Sequence, residues 1–122
     1  MDTELGHGVV ADVSLSIQII HDRDEARLVP IGELDIHSAS TFAVAGDLAL
    51  TEHPAHLHID LTQVTFIDSS GVRSLEVLVA LADDRGVPCT LSGRPEVAGD
   101  TALGDAIIVW SGSTTRRIER PG

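Results

Sequence analysis

The run Val64-Thr65-Phe66-Ile67-Asp68-Ser69-Ser70-Gly71-Val72 constrains this chain more than any other stretch. An apolar, strand-like segment ends there at Asp-Ser-Ser-Gly. Helical spacing then begins at once, with Val72, Leu75, Leu78, Val79 and Ala82 on one face and Gly86 to stop the helix near Arg85. A strand that passes directly into a helix sets hydroxyls beside the helix's unpaired N–H groups. That junction suits a phosphate displayed outward, so Ser69 reads as a switch and not as a nucleophile.

The remaining elements follow from periodicity and punctuation. Val13, Leu15, Ile17 and Ile19 alternate on one face of a strand over Val13 to Ile20, and His21 to Glu25 is a polar turn. Ala26 to Gly32 is its hairpin partner, with Pro30 at a position that needs no ladder N–H. Gly32-Glu33-Leu34-Asp35 closes the hairpin, and His37 or Ser38 opens a helix that runs to about Leu50. His56 to Leu61 forms a strand, bent at Thr62-Gln63 before Val64 to Ile67. Val87 to Ser92 and Ala106 to Trp110 are further strands, while Pro95 to Leu103 holds at most one or two helical turns. The fold class is α/β: a single domain with a mixed sheet of about five strands, an N-terminal antiparallel hairpin followed by parallel crossovers, and three to four helices. Residues 1–12 read as a flexible leader, 13–110 as the domain and 111–122 as a basic tail containing Arg116, Arg117 and Arg120.

Composition removes whole classes of function. With 122 residues and 43% hydrophobic content the chain closes its own core, built from Val, Leu, Ile and Ala because only two Phe, one Trp and no Tyr are present. Scarce rings argue against base stacking, and a net charge of −11 repels nucleic-acid phosphates and anionic lipid. No nucleic acid or membrane is expected as a partner. One cysteine, Cys89, excludes an internal disulfide and fits a small core residue. With neither a signal-peptide pattern nor a long apolar span, the expected location is the cytoplasm.

His53, His56 and His58 invite a metal test, but His53 precedes Pro54 and no partnered carboxylate is obvious. The strained Gly-x-Ser-x-Gly elbow, a Gly-rich phosphate loop and a dinucleotide fingerprint are all absent, so neither catalysis nor a cofactor is expected. Ser69 also fits a plain N-cap whose hydroxyl pairs with Gly71 or Val72 N–H, with Gly71 leaving room for an approaching kinase. Asp35 equally fits a cap for the helix that follows it, and Asp68 has the same ambiguity.

Gly32-Glu33-Leu34-Asp35, His58-Ile59-Asp60-Leu61 and Thr65-Phe66-Ile67-Asp68-Ser69-Ser70-Gly71-Val72 together resemble the STAS domain family, and within it the bacterial anti-sigma factor antagonists. The resemblance implies that Ser69 is the phosphoacceptor, flanked by Asp68 and Ser70. It also implies a partner-facing surface of Asp35, Asp68, Ser70, Gly71 and Val72 along the helix Gly71 to Arg85. The implied partners are an anti-sigma factor that is also a serine kinase and a metal-dependent Ser/Thr phosphatase. Two other readings stay open: a STAS scaffold subunit of a signalling or transporter complex without a phosphate cycle, and a nucleotide- or small-ligand-binding sensor.

Overall fold

The computed structural model describes residues 5–93, arranged as β1 (Leu5–Ala11), β2 (Leu15–Asp22), β3 (Glu25–Leu34), α1 (Ala39–Thr51), β4 (His56–Asp60), β5 (Val64–Ile67), α2 (Ser69–Asp84) and β6 (Cys89–Ser92). The strands form one six-stranded mixed sheet in the order β1-β2-β3-β4-β6, with β5 also paired to β3. The two hairpin contacts, β1–β2 and β2–β3, are antiparallel. The contacts β3–β4, β3–β5 and β4–β6 are parallel, as helical crossovers require. The mixed α/β architecture expected from the sequence is therefore the one found.

Register explains where the core sits. Ile19 pairs with Leu28, Leu28 with Ile59 and Ile59 with Leu91, and Ala26-Leu57-Cys89 makes a parallel row beside it. All are buried, and they share one core cluster with Phe42, Ala45 and Ala49 of α1 and Leu75, Leu78 and Val79 of α2. Both helices thus cover the same sheet face. The other face carries the intervening row Ile20-Arg27-His58-Thr90.

β3 changes partner midway. Glu25–Leu28 pair with β4, Gly32–Leu34 pair with β5, and Val29-Pro30-Ile31 lie between the two ladders. Pro30, which has no N–H to donate, falls in that gap. The strand does not close at Gly32 as the sequence suggests but continues through an irregularity there to Leu34. Gly32 has φ +117°, and a Cβ at this position would collide with the Ser14 carbonyl.

Other boundaries are corrected. Leu5–Ala11, expected to be part of a flexible leader, is strand β1, paired with β2 along its full length. Val13 does not extend the buried row; it is exposed in the β1–β2 turn. There Asp12 Oδ1 accepts from the N–H groups of Ser14 at 2.9 Å and Leu15 at 3.0 Å. Helix α2 begins at Ser69, two residues earlier than expected. The anticipated elements at Pro95 to Leu103 and Ala106 to Trp110, and the basic tail, lie outside the described residues.

Candidate functional site

The junction between β5 and α2 is held by one carboxylate. Asp68, in extended backbone (φ −116°, ψ −171°), is the N-cap: its Oδ1 accepts from Gly71 N–H at 2.9 Å. Its carbonyl accepts from Val72 N–H at 3.0 Å. The cap is thus Asp68 and not Ser69, which becomes the first helical residue and is exposed, with Ser70 half-buried behind it. The Ser69 hydroxyl is not needed to hold the helix.

The Asp35 loop lies against this junction. Ile36 N–H donates to Asp68 Oδ2 at 3.4 Å, so the same carboxylate ties the loop before α1 to the start of α2. Asp35 itself turns inward. Its Oδ1 accepts from the N–H groups of His37 at 3.0 Å and Ser38 at 3.1 Å. Ser38 Oγ accepts from Asp35 N–H at 3.0 Å and donates to the Glu33 carbonyl at 2.7 Å. Asp35 therefore shapes the loop that enters α1, whose N-cap is Ser38.

Gly71 and Val72 are buried. A Cβ at Gly71 would overlap the Leu34 carbonyl and come within 2.7 Å of Ile67 Cγ1, so this glycine lets α2 approach the sheet. The expectation that it opens space outward for an enzyme is corrected. Of the five predicted surface residues beside Ser69, Asp35, Asp68 and Ser70 are half-buried, while Gly71 and Val72 are buried.

What sequence reasoning missed is the groove that the serines border. An open cavity of about 700 Å³ lies between α1 and α2, lined by Ile36, Ala39 and Ala43 on one side and by Ser69, Arg73, Val77 and Leu81 on the other. Ile36 and Val77 are 67% and 56% exposed. The signal was present in the sequence, because Val77 lies off the buried stripe of α2, where a polar residue is the ordinary choice. Arg73, four residues after Ser69, is the cation next to the hydroxyl along the helix.

The histidines and the cysteine are occupied elsewhere. His56 and His58 share a face, as expected, and bracket one hydroxyl: Thr90 Oγ1 lies 2.6 Å from His58 Nδ1 and 3.0 Å from His56 Nε2. His58 Nε2 meets Ser92 Oγ at 3.0 Å, and His56 Nδ1 meets Glu25 Oε2 at 3.2 Å, a carboxylate partner brought from β3 that was not evident in the sequence. Among the described residues no three metal-ligating side chains converge. Burial pushes the Cys89 thiol up to about 12, which leaves no thiolate for chemistry near neutral pH. No helix among the described residues is long and apolar enough to cross a membrane.

Comparison with known proteins gives the same architecture. The family model described as STAS domain matches residues 17–102. The fold is similar to that of an anti-sigma factor antagonist from Mycobacterium paratuberculosis, at 18% identity and a TM-score of 0.57, over 81% of this chain and 98% of that one. It is also similar to the anti-sigma factor antagonist SpoIIAA in its unphosphorylated form, at 15% identity and a TM-score of 0.51, over 85% of this chain and 97% of that one. No curated protein matches by sequence.

Proposed function

The chain belongs to the STAS domain family, and from that premise we propose that it is a phosphorylation-controlled anti-sigma factor antagonist. Unphosphorylated, it binds an anti-sigma factor that is also a serine kinase; phosphorylated on Ser69, it releases that partner. The observation that carries this reading is the exposed Ser69 hydroxyl, first in α2 and bordering an apolar groove, with the capping work done by Asp68. The fold it shares with the two anti-sigma factor antagonists supports the partner class.

The chemistry required of this chain is modest. A kinase substrate supplies an accessible hydroxyl, while the base and the metal belong to the kinase. A phosphate on Ser69 adds about −1.5 to −2 charges at the positive end of α2, where the macrodipole offsets part of its self-energy. Arg73, one turn on, is a second counter-charge. The domain therefore tolerates the modification. A partner seated on Ile36 and Val77 does not, because it would have to desolvate a dianion beside Asp68. A loss of about 3 to 4 kcal/mol weakens binding by two to three orders of magnitude, which suffices for release. Hydrolysis by a metal-dependent Ser/Thr phosphatase resets the surface.

The test uses wild type, Ser69→Ala and Ser69→Asp proteins. Incubated with the cognate kinase and ATP, the wild type should gain one phosphate on Ser69 and the Ala variant none. Wild type and Ala should retain the kinase on a column, and Asp should lose it. Equal retention by all three would leave Ser69 structural and favour the scaffold reading. A saturable thermal shift with ATP or GTP alone would favour the ligand-sensor reading.

A further inference from the structure

A second surface lies at the outer edge of β1, on the far side of α1 from the groove. Among the described residues β1 pairs with β2 alone, and none of them pairs with the other side of its backbone ladder. Edge strands are ordinarily blunted by lysine, proline, charge or a bulge. This one carries none of these. Leu5–Ala11 reads LGHGVVA, without proline, Asp, Glu, Lys or Arg, and its register with β2 runs from Leu5↔Asp22 to Ala11↔Ser16 without a shift. In a chain of net charge −11, a seven-residue edge without Asp, Glu, Lys or Arg is a place where two copies meet with little local repulsion, most readily when salt screens the net field.

Apolar side chains flank that edge on both faces of the sheet. Val9 pairs with Gln18, on the face away from the helices, and is 64% exposed. On the helix-covered face α1 runs alongside β1. Near its start Thr41 Oγ1 donates to Asp12 Oδ2 at 2.7 Å, just past the end of β1. Near its end the Ala49 carbonyl lies 3.4 Å from Nε2 of His21, the residue paired with Gly6. Thr41, Val44 and Leu48 follow each other along this flank at i, i+3 and i+7. Val44 is 53% and Leu48 48% exposed, whereas Ala39 and Ala43 face the groove on the opposite flank.

We propose that the β1 edge, with Val9, Val44 and Leu48, is a self-association surface through which two copies of this chain join β1 to β1, antiparallel, into one continuous sheet. The two-fold axis then stands perpendicular to the sheet, which keeps the helices of both copies on the same side. The two α1 flanks face each other over the seam, and Val9 meets its own copy on the other face. Centring the pair on Val9 sets Asp12 opposite the uncharged Gly6. The edge is its own complement in hydrogen bonding and in apolar contact, which is what favours a second copy over a foreign strand. Ser69 and the groove stay open in the pair.

Sedimentation equilibrium of the full chain tests this, read alongside amide exchange. The wild type should show a concentration-dependent monomer–dimer equilibrium, with β1 amides that exchange faster on dilution. Val9→Glu combined with Leu48→Glu, both at exposed positions, should weaken the dimer by about a hundredfold, and Val77→Glu in the groove should leave it unchanged. A wild type that stays monomeric at millimolar concentration overturns the proposal. So does a dimer that responds to Val77→Glu and not to the edge variants. A monomer with slow β1 amides would mean that the chain's own residues cover the edge, and one whose β1 amides slow only with a foreign protein would assign the edge to that partner; either result overturns self-association.

Discussion

Asp68 does two jobs with one carboxylate: Oδ1 caps α2 through Gly71 N–H, and Oδ2 holds Ile36 N–H of the loop before α1. Asp68→Ala should therefore cost about 1 to 2 kcal/mol by urea unfolding, at the upper end of a cap loss. Asp68→Asn keeps an acceptor for Gly71 and should recover most of it; an Asn variant as weak as Ala would shift the weight to the charge at the helix terminus. Gly71→Ala is the sterner change, because the new methyl meets the Leu34 carbonyl and Ile67 Cγ1. It should destabilise by about 1 to 3 kcal/mol, while Ser70→Ala on the rim stays within about 0.5 kcal/mol in the same unfolding assay. A Gly71→Ala protein as stable as wild type would show that α2 can lift off the sheet freely. At this scale the sequence placed the strand-to-helix junction correctly but not the roles within it. Asp and Ser are near equals as N-caps, so neither propensity nor spacing could choose Asp68 over Ser69. The inward role of Gly71 depends on a carbonyl from a distant strand.

Among the elements, those with a strong period were legible and those held by their neighbours were not. The alternation of Leu15, Ile17 and Ile19 and the 3.6-residue stripe of α2 identified β2 and α2 directly. Strand β1 escaped because its two glycines and the adjacent Val9 and Val10 break the alternation; its ladder with β2 makes it a strand. The seam between β4 and β6 carries a pH dependence that no periodicity announces. Desolvation, aided by the Arg27 charge, lowers the pKa of His58 below its ordinary value of 6.5. The unfolded chain then takes up a proton at His58 before the folded one does. Stability should be complete above about pH 6.5, fall as pH drops toward the lowered folded value, and show no further His58 contribution below it. The groups facing His58 are Arg27 and Glu25 on β3, His56 and Asp60 on β4, and Thr90 and Ser92 on β6. Urea midpoints measured from mildly alkaline to mildly acid pH, for wild type and His58→Gln, isolate the contribution. An equal slope in both proteins would assign the effect to another group.

At the scale of the whole molecule the dominant quantity is charge. Nineteen acidic residues face eight arginines and no lysine, and the Asp47–Arg85 ion pair, at 3.5 Å, is partly exposed. Exposed pairs of this kind contribute about 0 to 1 kcal/mol, whereas unlike an expanded chain a compact anion holds all its like charges within a small volume. Self-repulsion should therefore outweigh attraction, and screening it should stabilise the fold. Raising sodium chloride from about 0.01 M to about 0.15 M shortens the Debye length from about 30 Å to about 8 Å. The melting temperature should rise across that range, and sodium chloride is the salt to use, since sulfate also strengthens apolar burial by exclusion. A falling melting temperature would mean that local ion pairs outweigh the net field. The same screening acts in the opposite direction on encounter with a cationic partner surface, which the anionic body attracts over several ångströms. Salt should thus slow the association rate with the proposed kinase partner while it raises stability. Two observables moving oppositely over one salt range separate the global field from any change in fold, because partial unfolding by salt would lower both together.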